Sequence, residues 1–472
     1  MGKISNICNI ANVRRTVKYI QKNGVSSGMY AAWERLLQKK RDDYEWHPLT
    51  PEERQGQEKE ADQLHEKMPV TFSILVPAYE TKACYMQALL ESVLAQTWRW
   101  FELVIADASA SDVVEQVVAQ SGDERIRYLR LSENLGISGN SNAGLKEVCG
   151  EYTGLLDHDD LLTADALYEM AAALYAERQK GVEPVMLYSD EDKTDGAGER
   201  FYEPHRKVDF NYDLILSNNY ICHFLMVRTG QLKETGFRSL YDGAQDYDLI
   251  LQVLRKSEGA PVVHVPKVLY HWRCHEQSTA ENPGSKMYAY EAGRKAVNDY
   301  CADIGLKVRM RHEKHLGFYR VEYADGVLQQ RRDVGAVGGR LLQRGRVAGG
   351  ALHEDGTLYY GGMPKQFSGY MHRAVLQQDV EALDIRFVRI RKEAVPFLQE
   401  AFRETCGTEL AEKQVNFLVG ELGAEGQAQF LKELVERGIG EEKLKSISLL
   451  FGKKLRQNGM KLLYDPRKEW SL

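Results

Sequence analysis

The strongest constraint on the fold of this 472-residue chain is a regular alternation that begins at Val70. Short, almost wholly apolar runs alternate with segments of helical length, in the order TFSILVPAY, YMQALLESVLAQT, FELVIAD, SDVVEQVVAQSG, IRYLRL, SGNSNAGLKEVC and EYTGLLDHDD. Apolar strands joined by helices are typical of a parallel sheet that is covered on both faces and wound right-handedly. We therefore predict an α/β domain with the succession β-α-β-α-β-α-β.

Polar residues gather at the carboxyl ends of three of these predicted strands. Ligands of open parallel sheets bind in the crevice beyond such ends. The pattern therefore predicts a binding site formed by the residues that end the first, second and fourth strands: Pro77, Ala78 and Tyr79, then Asp107, then Asp157, His158, Asp159 and Asp160.

The DHDD segment indicates a divalent cation. Asp157 and Asp159 flank a single residue, so that both carboxylates can reach one ion or its bound water. Mg²⁺ and Mn²⁺ use one or two protein carboxylates and complete their shells with phosphate oxygens and water. The alternative is that Asp160 or Thr163 caps the helix that follows. The position after a fourth parallel strand, across from Asp107, favours the metal.

Two further features near the strand ends fit a nucleotide. Asp107 is placed to accept hydrogen bonds from a uracil or thymine imide, and its alternative role is that of a turn residue in DASASD. Asn134, Gly136 and Asn142 precede or lie within the next helix, whose N-terminal amides suit a ligand. A helix cap with a tight turn explains these three equally well.

Additional carboxylates and donors follow downstream. GAQDYDLILQVLRK predicts an amphipathic helix with Asp246 in its first turn, where the helix dipole stabilises a carboxylate that acts as a base; an N-cap is the alternative. LYHWRCHEQSTA concentrates donors suited to phosphate or metal contact. The remaining candidates of this region are Asp190, Glu191, Asp192, Asp248, Arg273 and His275.

Composition excludes several classes of protein. The 62 Lys and Arg against 68 Asp and Glu give a net charge of -6, so we expect no nucleic-acid partner. The 43% hydrophobic and 28% charged residues are typical of a soluble globular protein. The seven cysteines are scattered and form no C-x-x-C pair, which argues against a disulfide framework and a zinc site and favours a reducing cytosol. We expect neither export nor a membrane-spanning segment.

The two ends of the chain carry local basic charge. Up to Asp43 the basic residues outweigh Glu34, Asp42 and Asp43, a balance that suits peripheral contact with an anionic membrane; a solvated helix face is the alternative. A second basic segment lies between 443 and 468. The intervening PEERQGQEKEADQLHEK is highly charged and is predicted to be a solvent-exposed connector.

Taken in order, these motifs resemble glycosyltransferase family 2, inverting enzymes with the Rossmann-like GT-A fold, over residues 71–310. The resemblance rests on SILVPAY, Asp107, DHDD, YSDEDK, GAQDYDL and LYHWRCHEQST. The most similar branch contains bacterial enzymes, often with tandem domains, that build rhamnose-containing and other surface polysaccharides. Two departures are Ser141, where many relatives carry arginine, and Gln245, where glutamate is commoner.

The resemblance implies a role for each candidate residue. Asp246 would be the general base, and Asp157 and Asp159 would hold Mn²⁺ or Mg²⁺ bridging the diphosphate. Asn142 lies in the helix after the third strand. The phosphate contacts of that helix are in question because Ser141 replaces the arginine of many relatives. Pro77, Ala78, Tyr79 and Asp107 would hold the nucleoside, and Asn142 and Asp157 would also belong to the cofactor site. Arg273 and His275 would contact the diphosphate or the ion when their loop closes.

The C-terminal third resembles part of a second such domain. Sliding the sequence by 200 positions places SISLLFGKKLRQNG on DYDLILQVLRKSEG and Pro466 on Pro266, but Ser446 on Asp246. We therefore expect a degenerate partial domain that serves dimerisation, acceptor binding or membrane docking. The predicted organisation is a helical segment with linker (1–70), the GT-A domain (71–310), a connector (311–334) and the partial domain (335–472).

These features predict a metal-dependent inverting glycosyltransferase acting at the cytoplasmic face. It would move a sugar from a UDP- or dTDP-linked donor to a hydroxyl of a growing, lipid-linked bacterial surface polysaccharide, and a homodimer is possible on this view. The alternatives are a non-catalytic nucleotide-sugar-binding or scaffold subunit and, less favoured, a sugar nucleotidyltransferase.

Overall fold

The structure is a computed structural model that describes residues 20, 24–39, 44–257, 259–274, 287–419 and 424–471. The chain divides into two units. The first unit takes in Asp43–Phe210 and Asn219–Gly305, and the second takes in Leu306–Leu472, Asn211–Asn218 and Met1–Asp42, so far as these are described. The predicted boundaries at 70 and 310 differ from this division, because the charged segment after residue 50 belongs to the first unit.

The first unit consists of a large sheet with helices around it. Its helices are α2 (Pro51–Lys67), α3 (Ala83–Leu94), α4 (Val113–Ser121), α5 (Gly136–Leu145), α6 (Ala166–Gln179), α8 (Thr229–Thr235), α9 (Gln245–Lys256) and α10 (Met287–Asp303). Its strands are β1 (Phe72–Ala78), β2 (Phe101–Asp107), β3 (Ile126–Arg130), β4 (Tyr152–Leu155), β5 (Leu161–Leu162), β6 (Met186–Thr194), β7 (Phe201–His205), β8 (Leu225–Arg228) and β9 (Val262–Arg273).

The strand order confirms the predicted α/β class. The sheet runs β3-β2-β1-β4-β8-β6-β9-β5, with β7 paired to β6. The four strands of the predicted succession are mutually parallel, whereas β8 is antiparallel to both of its neighbours. Since β2 and β4 lie on the path with β1 between them, Asp107 and Asp157 emerge at the same edge of the sheet.

Helix α5 packs unusually close to this sheet because of a glycine. A Cβ atom on Gly144 would lie 2.6 Å from Leu75 Cδ1 and 3.0 Å from Ala106 Cβ. Those two residues belong to neighbouring strands, β1 and β2. The close approach therefore sets the height of α5 above the strands whose ends carry the site.

The segment predicted as an exposed connector is the helix α2, and that prediction was wrong. Thr50 accepts a hydrogen bond from the backbone of Glu53, the Glu53 side chain returns to the backbone of Thr50, and Pro51 occupies the first turn. This capping box and the many Glu, Gln and Lys residues favour a helix despite the shortage of apolar side chains. Ala61 is fully buried, which anchors the helix to the core.

The second unit contains a smaller sheet covered by helices. Its helices are α1 (Val25–Lys39), α7 (Tyr212–Ile215), α11 (Val327–Gln330), α12 (Val395–Cys406), α13 (Glu412–Val419), α14 (Ala424–Glu436) and α15 (Glu441–Gln457). Its strands are β10 (Val308–His312), β11 (Tyr319–Tyr323), β12 (Val334–Gln343), β13 (Arg346–Gly349), β14 (Ala351–Leu352), β15 (Gln378–Asp379), β16 (Ala382–Leu383), β17 (Val388–Ile390) and β18 (Lys461–Ser471). The predicted connector 311–334 thus contains part of the hairpin β10-β11 and the helix α11.

The pairing of β12 repeats that of β6. The early part of β6 pairs antiparallel with β8, its later part pairs antiparallel with β7, and β9 runs parallel along its other side. In the same order, β12 pairs antiparallel with β17, antiparallel with β13 and parallel with β18. The register of both parallel pairs shifts in mid-strand, next to Pro266 in β9 and Pro466 in β18. Each unit therefore contains the same half-sheet.

Candidate active site

The DHDD segment follows β4 at the carboxyl edge of the sheet, as predicted. The side chain of Asp157 is half-exposed there. The neighbouring His158 approaches Thr81, with 2.9 Å between Nδ1 and Oγ1, and this contact ties the loop after β1 to the loop after β4. The two predicted metal carboxylates, Asp157 and Asp159, therefore lie in a loop that a second strand end helps to hold.

Asp160 has a structural role, as the alternative to metal binding predicted. It does not cap a helix, however, but connects the DHDD loop to a neighbouring strand. It is buried, and its carboxylate accepts hydrogen bonds from the Tyr270 hydroxyl at 2.5 Å and from the backbone N–H of Arg273 at 2.7 Å. The backbone N–H of Asp157 lies 3.4 Å from the same tyrosine hydroxyl. These contacts fasten the DHDD loop to β9.

Arg273 has a contact different from the predicted one with a diphosphate. Its side chain is 1% exposed, its Nε donates to the backbone oxygen of Asp159 at 2.5 Å, and its Nη1 donates to that of Gly196 at 3.0 Å. The guanidinium also lies over the ring of Tyr85, 4.9 Å from its centroid. Arg273 is therefore a positioning residue that fixes the backbone beneath the Asp159 carboxylate.

A partly buried histidine connects the predicted metal ligand Asp157 to the second half of the sheet. His223 Nε2 lies 3.8 Å from Asp157 Oδ2, and its Nδ1 lies 3.2 Å from Glu191 Oε2. Glu191 also accepts from the backbone N–H of His223 at 2.6 Å. Lys207 donates to the carbonyl oxygens of Ile221, at 2.8 Å, and of His223. The segment 221–223 is therefore held from both sides.

Asp246 occupies the predicted position in the first turn of α9. Asn219 Nδ2 donates to its Oδ2 at 2.8 Å. One carboxylate oxygen of Asp246 lies within 4.8 Å of Cys222 Sγ and of a ring nitrogen of His223. The next candidate along the helix behaves differently. Asp248 is 1% exposed and forms a two-point ion pair with Arg238, so it is structural.

The electrostatics of the site follow from this crowding. Surrounding protein atoms desolvate the Asp157 carboxylate and raise its pKa; the charge of Asp159 adds to the rise and His223 opposes it. Burial alone would raise the pKa of Glu191, but Lys207 and the hydrogen bonds of His205 and His223 hold it well below its usual value. Burial would lower the pKa of His223, whereas Glu191 raises it to about 9. The site is thus an alternating array of acidic and basic groups.

On the nucleotide side, the first two strands end as predicted. Pro77 and Ala78 are the last residues of β1, and Tyr79 is half-exposed beyond them. Asp107 ends β2 and is completely buried, and its carboxylate accepts from Ser109 N at 2.9 Å and from the Tyr128 hydroxyl at 2.8 Å. Both carboxylate oxygens of Asp107 therefore have partners within the protein, as its alternative role in a turn requires.

Asn142 makes contacts within the protein that its predicted role in cofactor binding did not include. Its Nδ2 donates to Phe237 O at 2.7 Å, and its Oδ1 accepts from Phe237 N at 2.8 Å. The amide thus bridges α5 to the segment after α8. Asn134 accepts from Gly136 N at 3.0 Å, which is the tight turn that the sequence left open as an alternative.

The remaining acidic residues of β6 belong to a buried network. Asp190 accepts from Lys207 N and contacts His264, both at 2.8 Å. Asp192 is fully buried and contacts His271 and the hydroxyl of Tyr44. These buried carboxylates hold β6 against its neighbours.

Sequence reasoning missed Cys222, His223 and Asn219. They lie in NYICHFLMV, where an apolar strand pattern hides them, and the only available signal was a histidine directly before that strand. His275, the last predicted contact, lies outside the described residues. Within the described ranges, no helix has the length and apolar character needed to cross a bilayer.

Comparisons with known proteins agree with the motif order. Residues 73–236 match the family model "Glycosyl transferase family 2". The chain is 36% identical over 236 residues to the uncharacterized protein y4gI of Sinorhizobium fredii, covering 49% of this chain and 25% of that protein. It is 30% identical over 257 residues to the O-antigen biosynthesis protein RfbC of Myxococcus xanthus, covering 53% and 19%.

Among solved structures, TarS of S. aureus in complex with UDP-GlcNAc is 20% identical, with a TM-score of 0.40, covering 50% of this chain and 68% of that one. The matched segment spans a quarter or less of the two relatives found by sequence. The family match covers β1 to β4, β6 and β8, the strands that carry or adjoin Asp107, Asp157 and Glu191. Residues 73–236 therefore carry the features of a glycosyltransferase family 2 domain.

Proposed function

We propose that the first unit is a metal-dependent inverting glycosyltransferase whose donor is a UDP- or dTDP-linked sugar. The observation that carries this proposal is that Asp157, after β4, and Asp246, at the start of α9, both lie close to His223. One carboxylate lies at the strand edge, where a diphosphate is expected, and the other lies at a helix N-terminus, where a base is expected.

The donor set at the strand edge fits Mn²⁺ or Mg²⁺. Asp157 and Asp159 offer only carboxylate oxygens, and a divalent cation would offset the desolvation and the charge of Asp159 that together raise the pKa of Asp157. When bound, such an ion neutralises negative charge on the departing nucleoside diphosphate. Arg273 and Asp160 hold the backbone of this loop in place.

Asp246 acts as the general base. Asn219 fixes one of its oxygens at 2.8 Å, so that the other is directed towards an acceptor hydroxyl and takes its proton. The hydroxyl oxygen then attacks the anomeric carbon from the face opposite the nucleoside diphosphate. This single displacement inverts the configuration without a covalent sugar-enzyme intermediate.

The product is proposed to be a bacterial surface polysaccharide built on a lipid-linked acceptor. This rests on the likeness to an O-antigen biosynthesis protein over about half of this chain. The repeated half-sheet is proposed to be a degenerate partial transferase domain that serves acceptor binding, dimerisation or membrane docking. At the position aligned with Asp246 it carries Ser446, whose hydroxyl bonds within α15 to Glu442 O.

Peripheral membrane contact is proposed to occur through α1. Its face formed by Val25, Met29, Trp33, Leu36 and Leu37 is exposed. Glu34, the one acidic residue up to Arg41, is buried and accepts from the backbone N–H groups of Ser368 and Gly369 at 3.0 and 2.6 Å. An exposed apolar stripe within a basic segment suits an anionic bilayer. Its basic residues are Lys3, Arg14, Arg15, Lys18, Lys22, Arg35, Lys39, Lys40 and Arg41.

The C-terminal basic segment contributes less to this proposal than its sequence suggested. Lys454 pairs with Glu404, Arg456 with Glu354, and Arg467 with Asp465. Positive charges that are paired with acidic residues of the same chain add little to its attraction to an anionic lipid surface.

Titration calorimetry with UDP and dTDP, in Mn²⁺ and then in EDTA, tests the donor site. Binding that requires the metal and disappears in Asp159→Ala is expected, and the preferred nucleotide narrows the donor sugars. Release of nucleoside diphosphate from UDP- and dTDP-sugars, with water as acceptor, then tests turnover. Binding without turnover in every case would favour a non-catalytic subunit, whereas pyrophosphate release from a sugar phosphate and a nucleoside triphosphate would favour a nucleotidyltransferase.

A further inference from the structure

Three side chains of the candidate site offer metal-ligand atoms that differ in kind from those of Asp157 and Asp159. Cys222 Sγ, a ring nitrogen of His223 and a carboxylate oxygen of Asp246 all lie within 4.8 Å of one another. Mg²⁺ and Mn²⁺ prefer oxygen ligands, whereas a set of thiolate, imidazole and carboxylate is typical of Zn²⁺.

Each ligand candidate is already oriented by a neighbour. The Nδ1 of His223 faces Glu191 at 3.2 Å, and its Nε2, which lies 3.8 Å from Asp157 Oδ2, is the nitrogen that remains for a metal ion. A carboxylate on the far nitrogen of a histidine is the usual partner of a zinc-binding imidazole. Asn219 holds one oxygen of Asp246, and Lys207 holds the carbonyl oxygens on both sides of Cys222. Contacts with neighbouring residues therefore hold all three ligand candidates in position, so their proximity does not depend on one flexible side chain.

The spacing of cysteines argued against zinc, but that argument applies to closed structural sites with paired cysteines. Here one cysteine and the adjacent histidine precede β8, and the third ligand comes from the start of α9. Three protein ligands with a fourth position open to solvent are the pattern of accessible zinc sites. Only the folded chain brings these residues together.

We propose that Cys222, His223 and Asp246 form an inhibitory zinc site, separate from the Mn²⁺ or Mg²⁺ site at Asp157 and Asp159. As the S–Zn and N–Zn bonds form, the thiol and imidazolium protons pass to solvent. The same ion occupies the Asp246 carboxylate, which then no longer accepts the proton of the acceptor hydroxyl. The inhibitory effect rests on the proposed function, whereas the binding of zinc does not.

Cobalt titration of the full chain, stripped of metal and kept reduced, tests the site directly. A cobalt–thiolate bond gives a charge-transfer absorption in the near ultraviolet. The wild type is expected to develop this band to one ion per chain and to lose it when Zn²⁺ is added. Cys222→Ser is expected to lack the band, and Cys149→Ser, which removes an exposed thiol elsewhere, is expected to keep it.

Further variants separate the two metal sites. Asp159→Ala is expected to lose metal-dependent UDP binding but to keep the cobalt band. Glu191→Gln is expected to weaken zinc binding about 10- to 100-fold. If Cys222→Ser fails to fold, Asp246→Asn provides the second test, since it keeps the thiol and is expected to show the band only at higher cobalt concentrations.

The outcomes distinguish this proposal from the proposed function. A wild type without the band, or a folded Cys222→Ser with an unchanged band, overturns the zinc site whatever the enzyme does. A normal band in a protein that binds neither UDP nor dTDP supports the zinc site and contradicts the transferase. If the wild type shows both the cobalt band and nucleotide binding, Zn²⁺ is expected to inhibit its release of nucleoside diphosphate. Cys222→Ser is expected to require at least tenfold more Zn²⁺ for the same inhibition.

Discussion

The Nε of Arg273 donates a hydrogen bond to the backbone oxygen of Asp159 at 2.5 Å. Arg273, which was expected to bind substrate phosphate or the ion, thus holds the loop that carries Asp157 and Asp159, the carboxylates proposed to bind the metal. Any effect of Arg273 on the proposed reaction is therefore expected to act through the position of Asp159.

Arg273→Lys is expected to weaken Mn²⁺-dependent UDP binding by about 10- to 100-fold, as is typical when a group that orients a metal ligand is lost. A lysine cannot donate to the carbonyl oxygens of Asp159 and Gly196 from one rigid plane. Titration calorimetry measures the change. The matched control is Arg178→Lys, which alters an ion pair with Glu183 away from the cleft. If Arg273→Lys and Arg178→Lys bind UDP equally well, Arg273 does not position the Asp159 loop for metal binding.

Asp246 and Asp248 are two residues apart on α9 and are expected to behave oppositely. Asp246→Asn is expected to lower turnover by about 10²- to 10⁴-fold with unchanged thermal stability, because it removes the proton acceptor. Asp248→Asn is expected to lower the free energy of unfolding by about 1–3 kcal/mol with activity retained in the folded fraction, because it breaks the pair between this buried carboxylate and Arg238. Turnover assays and denaturant titrations on both variants separate the two roles.

The second unit is expected to lose stability in acid through His372. Burial, together with the charge of the stacked His315, lowers the pKa of His372 to about 3. In the unfolded chain a histidine titrates near 6.5, so the unfolded state takes up a proton that the folded state refuses. The stability is fully present above about pH 6.5 and is lost as the pH falls towards 3, by up to about 1.4 kcal/mol per pH unit.

Urea unfolding between pH 7 and pH 4 measures this dependence. His372→Asn is expected to show a shallower loss, and asparagine tolerates the positive φ of 58° at this position. His353→Asn, which changes an exposed histidine of the same unit, is expected to follow the wild type. Identical slopes for all three proteins would rule out His372 as the source.

Sedimentation with vesicles that contain anionic lipid tests the α1 surface. Trp33→Glu is expected to weaken vesicle binding at least tenfold, since burial of a large apolar side chain contributes about 1.5 kcal/mol or more. Raising the salt concentration is expected to weaken wild-type binding as well. Val435→Glu, which changes an even more exposed apolar residue on α14, is the control. Wild-type protein that stays in the supernatant at low salt would exclude this contact.

The sequence was most informative where a local pattern determines structure. Four apolar runs separated by helices predicted the parallel strands, and the acidic residues at their ends predicted where Asp107 and Asp157 emerge. Helix α2 was missed because its shortage of apolar residues was taken as evidence for a connector, although Thr50 and Glu53 form a readable capping box.

Contacts between distant residues were not predictable in this way. Asn142 and Arg273 have the right residue types for a ligand, but their partners, Phe237 and the backbone of Asp159, are far away in the sequence. Conversely, His223 acquires its importance only when β4, β6 and α9 bring Asp157, Glu191 and Asp246 around it. The type of residue at a strand end therefore predicts where a site lies better than it predicts what that residue does there.

The half-sheet of the second unit has an edge that its counterpart in the first unit lacks. In the first unit β8 is covered by β4, whereas among the described strands β17 pairs with β12 alone. β17 is only three residues long, and Arg389 and Arg391 lie within or next to it. A short edge flanked by positive charge is a poor template for pairing with another chain. A half-domain of this kind therefore remains resistant to edge-to-edge aggregation without the strands that cover its counterpart.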